Sequence, residues 1–77
     1  MALLRYFAAA AELAGRDEET RSESTVGLLR RGLADDHPAL GGILDRCALL
    51  VDGSRTDDDA LLSAGTRVDV LPPYAGG

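Results

Sequence analysis

The stretch Val68–Gly77, VDVLPPYAGG, stands at the end of the chain and decides how the rest of the sequence is interpreted. Apolar and polar residues alternate from residue 68 to residue 70, which is typical of a strand with one buried face. The pair Pro72-Pro73 follows the strand. Because neither proline can donate a hydrogen bond to a neighbouring strand and each fixes φ, we predict that the strand ends at Leu71 and that the chain leaves the sheet as a stiff, extended arm.

The arm ends in residues with almost no side chain, since Tyr74 is followed by Ala75, Gly76 and Gly77. Glycine causes no steric obstruction in a narrow channel and adopts backbone angles that are closed to other residues. A carboxylate on such an arm can enter the active site of another protein, which predicts chemistry on the Gly77 carboxylate itself. The alternative is a frayed terminus without a role. The two prolines and the aromatic Tyr74 argue against that alternative.

Length and composition favour a carrier or a binding module over a self-contained enzyme. A chain of 77 residues forms one domain, and so short a chain buries only about 60% of its unfolded surface, which leaves little room for an internal active site. The net charge is −5 and the pI is about 4.5, so nucleic acid is not expected as a partner. All eight cationic side chains are arginines. No isopeptide bond can therefore form on a lysine of this chain.

Cysteine usage and the absence of long apolar runs favour a cytoplasmic location. The single cysteine, Cys47, excludes an internal disulfide and is compatible with a reducing cytosol. The start of the chain does not resemble a signal peptide, because no basic region precedes the apolar residues 6–11 and Glu12 follows them. No run approaches the ~20 apolar residues that span a bilayer, so no membrane association is expected.

Three other features have ordinary structural explanations. Cys47 lies in an apolar run, where a cysteine behaves more often as a small buried hydrophobe than as a persulfide relay. His37 has no second His or Cys at metal-ligand spacing, and the run Asp57–Asp59 lacks the glycine and the distal glutamate of a calcium loop. No metal site is therefore predicted. Since neither a phosphate-binding glycine loop nor a nucleophile–base pair is present, we expect a partner, not this chain, to bind any ATP.

The elements in the first half of the chain follow from turn residues and periodicity. Residues 2–7 are predicted to form a strand, and residues 8–14 a helix that stops at Gly15. The polar residues 16–23 fit a solvated edge strand or a loop. The main helix is predicted to begin at Ser24 or Thr25 and to end near residues 35–38. Its apolar residues, spaced to face one core, are Val26, Leu29 and Leu33.

The second half of the chain is predicted to return to the sheet. Its expected elements are a short helical turn within residues 39–46 with Gly41-Gly42 as a loop, a buried strand over residues 47–51, a tight turn at Asp52-Gly53, a short return strand over residues 54–57, one helical turn over residues 60–62 and a reversal at Ala64-Gly65 before the last strand. The first and last strands are expected to be parallel neighbours.

This order predicts an α+β fold of the β-grasp, or ubiquitin-like, type. It consists of a mixed sheet of four to five strands packed on one main helix. The sequence therefore predicts a β-grasp domain over residues 1–71 and a flexible C-terminal Gly-Gly tail over residues 72–77.

The sequence resembles the family of small ubiquitin-like sulfur carriers, and within it the small subunits of molybdopterin synthase. Residues 71–77, LPPYAGG, carry the resemblance. Four further landmarks in the same order support it: LRYFA at residues 4–8, AELAG at residues 11–15, STV at residues 24–26 and LVDG at residues 50–53. The match covers the whole chain.

The resemblance implies a reaction cycle with three partners. A ubiquitin-activating-type adenylyltransferase would join the Gly77 carboxylate to AMP, consuming ATP, and a persulfide sulfur donor would turn it into a thiocarboxylate. The carrier would then insert its tail into the large subunit of molybdopterin synthase. There the sulfur would pass to the pterin precursor of the molybdenum cofactor. The chain itself would bind no cofactor.

The same resemblance implies roles for the residues of the tail. Gly77 would carry the sulfur and Gly76 would permit threading into the partner. Ala75 would form part of the same partner-binding arm, which Pro72, Pro73 and Tyr74 would orient. An apolar sheet surface near Phe7 and Leu71 would dock the partners.

Other functions stay open at this point. The same carrier chemistry can supply thiamin, cysteine or a secondary metabolite. The chain can also be a protein modifier that is joined through Gly77 to lysines of other proteins. A third possibility is an interaction domain whose tail has no role.

Overall fold

A computed structural model of the chain describes residues 1–73. The predictions for Tyr74, Ala75, Gly76 and Gly77, including the flexible tail, fall outside the described residues. The elements in chain order are β1 (Ala2–Tyr6), α1 (Ala9–Ala14), β2 (Glu18–Arg21), α2 (Val26–Asp36), α3 (Pro38–Gly41), a 3-10 turn (Leu44–Arg46), β3 (Ala48–Val51), β4 (Ser54–Arg55) and β5 (Arg67–Leu71).

The five strands form one mixed sheet in the order β2-β1-β5-β3-β4. Strands β1 and β5 are parallel, with Leu4 opposite Val68, whereas the other neighbouring pairs are antiparallel. The first and last strands of the chain are thus neighbours in the middle of the sheet. This arrangement confirms the predicted β-grasp fold and the parallel pairing of the first and last strands.

The core lies between α2 and one face of the sheet. Thr25 caps α2, since its Oγ1 accepts a hydrogen bond of 3.2 Å from the Leu28 N–H. The helix residues Val26, Leu29 and Leu33 are fully buried, as predicted. They share one core cluster with the buried β-strand residues Leu4, Val68 and Val70. Because each of these side chains stabilises the fold by about 1.5–3 kcal/mol when buried, this face determines the register of both central strands.

The turn at Asp52-Gly53 is also as predicted. Both residues have positive φ, 49° and 86°, which is the geometry of a two-residue hairpin turn that favours Asp-Gly. The turn joins β3 to β4, which is only two residues long.

The interpretation of Gly41-Gly42 as a loop was wrong at Gly41, which is the last residue of α3. A Cβ at this position would lie 3.2 Å from the Cβ of Ala34 in α2. Gly41 is thus needed for the close approach of two helices. The single short helical turn predicted within residues 39–46 corresponds to two elements in the structure, α3 and the 3-10 turn.

The predicted helical turn over residues 60–62 does not form. Instead, this segment runs along the start of α2, where the carbonyls of Asp58 and Ala60 accept hydrogen bonds from Gly27 and Val26, at 2.9 and 3.0 Å. These two N–H groups have no partner within their own helix. Capping α2 is therefore what holds the segment in an extended conformation.

Candidate functional site at the root of the tail

The tail leaves the sheet from its central strand. β5 ends at Leu71, Pro72 is buried and Pro73 is exposed. On one side Leu71 lies opposite Ala48 of β3, and on the other the Phe7 N–H donates a 3.2 Å hydrogen bond to the Val70 carbonyl. Since both neighbouring strands hold β5, the point from which the tail departs is fixed relative to the whole sheet.

The sheet face opposite α2 is open, and its apolar side chains lie near the root of the tail. Alternation along the strands places Leu3 and Phe7 on this face, with exposed fractions of 37% and 36%. Leu50 and Leu71, both partly exposed, lie on the same face. The structure thus places Phe7, directly after β1, beside the end of β5, which holds Leu71, and both were predicted to dock partners. Their role in docking stays a prediction.

An ion pair occupies the centre of this open face. The Asp69 carboxylate accepts hydrogen bonds of 2.9 and 3.3 Å from Nε and Nη2 of Arg5, and Nε of Arg67 lies 3.7 Å away. The hydrogen bond to Asp69 raises the pKa of Arg5. The Arg5 guanidinium also lies over the Phe7 ring, 5.3 Å from its centroid.

Asp69 was expected on a solvated face, but it is only 9% exposed. The expectation of a single buried face was wrong at this residue because the two arginines cover it. The missed signal is a pair of opposite charges at corresponding positions of two predicted strands. The pair can be inferred from the sequence only when the parallel register of β1 and β5, which sets Arg5 opposite Asp69, is known.

A second polar cluster lies where β2 meets the end of α2. Glu19 accepts a 2.5 Å hydrogen bond from the Tyr6 hydroxyl, lies 2.8 Å from Nε2 of His37 and 3.3 Å from Nη1 of Arg21. Arg21 also pairs with Asp36 at 2.6 Å. The sequence predicted a solvated edge here. The structure confirms the edge position of β2, and it adds side-chain contacts between β2 and the end of α2 that the sequence did not predict.

Burial and hydrogen-bond partners shift the pKa values of Tyr6 and Glu19 in this cluster. Burial disfavours the charged carboxylate of Glu19, but hydrogen bonds from Tyr6 and His37 outweigh it and hold the pKa of Glu19 below its ordinary value. Burial and the hydrogen bond to Glu19 raise the pKa of Tyr6. Tyr6 therefore remains a protonated donor and Glu19 a charged acceptor at neutral pH.

Cys47 has the environment of a structural cysteine. It is 4% exposed, and burial raises the pKa of its thiol more than the nearby Arg30 and Arg46 lower it. A thiol is a poor nucleophile when it is neutral and buried. These properties agree with the interpretation of Cys47 as a small buried hydrophobe.

Within residues 1–73 no group of three or more potential ligands is arranged to hold a metal ion. No helix in this part of the chain is both long and apolar enough to cross a bilayer.

Comparison with known proteins identifies the family. The ThiS family matches residues 4–77. A candidate subunit 1 of molybdopterin converting factor from Pyrococcus furiosus is similar in structure, with a TM-score of 0.81 and 26% identity over 95% of this chain and 97% of that chain. Small archaeal modifier protein 1 of H. volcanii gives a TM-score of 0.77 and 25% identity, over 95% of this chain and 97% of that chain.

A third structure is similar in fold alone. It is the complex of subunits 1 and 2 of molybdopterin-converting factor from Helicobacter pylori, in which the matching chain has a TM-score of 0.73 and 21% identity, over 99% of this chain and 97% of that chain. A search of curated protein sequences gave no significant match. The family match extends over nearly the whole chain and agrees with the β-grasp topology and with the resemblance of the sequence. The chain therefore belongs to the ThiS family of small ubiquitin-like sulfur carriers.

Proposed function

We propose that this chain donates sulfur to molybdopterin as the small subunit of a molybdopterin synthase, and that Gly77 carries the sulfur. The observation that carries the proposal is the LPPYAGG segment, whose root is anchored in the central strand by Leu71 and Pro72. An anchored root and a small-residue end suit a tail that projects a carboxylate into a partner. The similarity to the P. furiosus converting-factor subunit favours the molybdopterin branch of the family.

Activation makes the carboxylate reactive in two steps. A carboxylate is a poor electrophile, so a ubiquitin-activating-type adenylyltransferase transfers AMP from ATP to the Gly77 oxygen and releases pyrophosphate. The terminal sulfur of a persulfide donor then attacks the carbonyl carbon and AMP leaves. A thiol reduces the resulting acyl disulfide, which leaves a thiocarboxylate on Gly77 and a disulfide between the donor and the thiol. This cycle belongs in the cytoplasm, where ATP and reduced thiols are available.

The chain contributes a docking surface and a substrate group, whereas its partners contribute the active sites. The open sheet face near Phe7 and Leu71 contacts the adenylyltransferase and, in turn, the large synthase subunit. The H. pylori complex, which contains subunits 1 and 2 together, supports a large-subunit partner for this fold. Pro72 and Pro73 orient the arm, and Tyr74, Ala75 and Gly76 occupy the partner's channel. The thiocarboxylate then transfers its sulfur to the pterin precursor.

Intact-mass measurement tests the carrier chemistry. Incubation with the activating enzyme, ATP and a sulfur donor should raise the mass by the difference between one sulfur and one oxygen atom. An added residue after Gly77 should abolish this shift, while Cys47→Ala should keep it. A mass gain that fragmentation locates at Cys47 would overturn the assignment to Gly77.

A second experiment tests the destination of the sulfur. The thiocarboxylated protein, mixed with the large synthase subunit encoded in the same genome, should convert the pterin precursor to a dithiolene. Two carrier molecules should be consumed per product, because a dithiolene needs two sulfur atoms and each carrier delivers one. If sulfur passes instead to a thiazole or cysteine synthase, the carrier chemistry stands and the molybdopterin assignment falls.

Protein modification is the second candidate function. The similarity to small archaeal modifier protein 1 of H. volcanii favours it, at 25% identity over 95% of this chain. A modifier would be recovered from cells as conjugates in which Gly77 is joined to a lysine amine of another protein. Mass spectrometry of affinity-purified protein separates the two functions, since a dedicated sulfur carrier gives the thiocarboxylate without conjugates.

A further inference from the structure

A cleft of about 370 Å³ opens beside the start of β3, on the side of this strand that faces the short β4. Arg30, Arg46 and Arg55 line it, from α2, the 3-10 turn and β4 respectively. Three of the eight cationic side chains of an acidic protein therefore meet at one cleft. The sulfur-carrier chemistry proposed for the tail assigns no role to this cleft.

Arg30 is held in a fixed orientation at this cleft. Its Nη1 donates a 2.7 Å hydrogen bond to the Leu44 carbonyl, and its Nε donates a 3.1 Å hydrogen bond to Asp58. A guanidinium has five N–H groups, so these two bonds leave three donors for a ligand. The orientation is set before any ligand binds, which lowers the entropic cost of binding.

The charge balance of the cleft favours an anion. Among residues 1–73, the cleft is lined by one carboxylate, that of Asp45, and by the three arginines, of which Arg30 is also paired with Asp58. Within residues 1–73, Arg55 makes neither an ion pair nor a side-chain hydrogen bond. Cys47, which also lines the cleft, carries a neutral thiol at neutral pH because burial raises its pKa. It therefore adds no negative charge to the cleft.

The cleft adjoins the root of the tail. Ala48 lines it and lies directly opposite Leu71 in the sheet. Neighbouring strands are about 5 Å apart, so an anion in the cleft would lie one strand away from the point where the tail departs.

We propose that the cleft between Arg30, Arg46 and Arg55 is a binding site for an oxyanion, a phosphate or carboxylate group held by the planar forks of the guanidiniums. Arginine is suited to this task because its paired N–H groups match two oxygens of such an anion. Two sources of the anion fit the place of the cleft. One is free phosphate. The other is the Gly77 carboxylate of the same chain, since six residues beyond Leu71 reach up to about 20 Å.

Titration of the full-length protein with inorganic phosphate tests the proposal. Chloride is exchanged for phosphate at constant ionic strength, and the amide NMR signals of all residues are followed. We expect saturable shifts concentrated at Ala48, Leu49 and Thr56. Arg55→Gln should weaken phosphate binding about fivefold to tenfold, and Arg55→Lys should restore only part of the affinity because it lacks the fork. The matched control is Arg31→Gln, which removes an exposed arginine outside the cleft and should leave the affinity unchanged.

A C-terminal carboxamide form of the protein distinguishes the two sources. If the Gly77 carboxylate occupies the cleft, phosphate should bind more tightly to the carboxamide form, because the competing anion is gone. If free phosphate is the ligand, both forms should bind it equally. NMR shifts that rise linearly without saturation would overturn the proposal. An equal loss of phosphate affinity in Arg31→Gln and Arg55→Gln would also overturn it. These measurements involve no partner enzyme, so their outcome is independent of the proposed sulfur transfer.

Discussion

Ala8 has a backbone conformation that a residue with a Cβ rarely adopts, with φ 50° and ψ −126°. Such a conformation costs of order 1–3 kcal/mol and persists only where the surrounding structure enforces it. Here it turns the chain from β1 into α1, where the Ala8 carbonyl accepts hydrogen bonds from Ala11 and Glu12, at 3.0 and 3.3 Å. No periodicity in the sequence indicates this strain.

Ala8→Gly should therefore stabilise the protein. Glycine adopts positive φ without a steric penalty, which more than offsets its larger loss of backbone entropy on folding. We expect urea unfolding to show a free energy of unfolding raised by about 1 kcal/mol. The control Ala9→Gly, at the exposed first position of α1, should lower it by about 0.5–1 kcal/mol instead. A loss at residue 8 as large as that at residue 9 would contradict the strained conformation.

Glu19 should make the free energy of unfolding depend on pH. Its pKa is lowered in the folded protein, so its contribution is present above the ordinary value of 4.5 and is lost as the pH falls below it. At neutral pH Glu19→Gln should cost about 1 kcal/mol, because a charged acceptor of hydrogen bonds from Tyr6 and His37 is replaced by a neutral one. The difference between the two proteins should shrink on acidification.

Chemical unfolding of both proteins over a series of pH values measures this difference. Glu18→Gln, at an exposed position of the same strand, is the control and should stay within about 0.5 kcal/mol of the unmodified protein. A cost of Glu19→Gln that stays constant down to pH values well below 4.5 would show that the carboxylate charge is not what stabilises the cluster.

The Arg5–Asp69 pair joins β1 and β5 across the open face. Asp69 is nearly buried, so its loss leaves two guanidiniums without their acceptor in a partly desolvated place. Asp69→Ala should lower the free energy of unfolding by about 1–2 kcal/mol. Arg5→Ala should have a smaller effect because its side chain is 37% exposed.

A double-mutant cycle of these two substitutions measures whether the effect comes from the pair. The double variant should be less unstable than the sum of the single variants, since either substitution alone removes the interaction. Asp59→Ala, in an exposed turn, serves as the control and should change stability by less than about 0.5 kcal/mol. Strict additivity would show that Asp69 acts through other contacts.

Elements with local signals could be predicted from the sequence. The cap at Thr25, the helical spacing of Val26, Leu29 and Leu33, and the Asp52-Gly53 turn each depend on residues within a few positions of one another. The parallel pairing of β1 and β5 followed from the order of the elements. These features depend on the backbone and on apolar periodicity, which a single sequence shows directly.

Features formed by residues distant in the chain could not be predicted in the same way. Glu19 meets His37 across 18 positions, and Arg5 meets Asp69 across 64. The first contact depends on how the end of α2 packs against β2, and the second on the register of β1 and β5, and neither was known from the sequence. For the same reason, a local helical turn was predicted over residues 60–62, whereas the carbonyls of Asp58 and Ala60 accept hydrogen bonds from the start of the distant helix α2. The arginine cleft could not be predicted either, because its three arginines lie on three different elements.

The two sides of the protein have different exposed apolar residues. Phe7 and Leu71 lie beside the root of the tail on the open sheet face. Leu61, at 77% the most exposed large apolar residue within residues 1–73, lies beside the start of α2, where it pairs with Thr25. A partner that receives the tail must approach the side from which the tail leaves, so the two sides should differ in their importance for binding.

Phe7→Ala should therefore weaken binding to the large synthase subunit by about tenfold or more, because an aromatic residue at the centre of an interface often contributes most of the affinity. Leu61→Ala, the matched control, removes a more exposed apolar side chain on the other side and should leave the affinity unchanged. Titration calorimetry with each variant measures the affinity, after urea unfolding has shown that both are folded. If Leu61→Ala weakens binding and Phe7→Ala does not, the partner docks on the helical side. The tail would then have to turn around the edge of the sheet to reach an active site, and the open face would have no part in sulfur transfer.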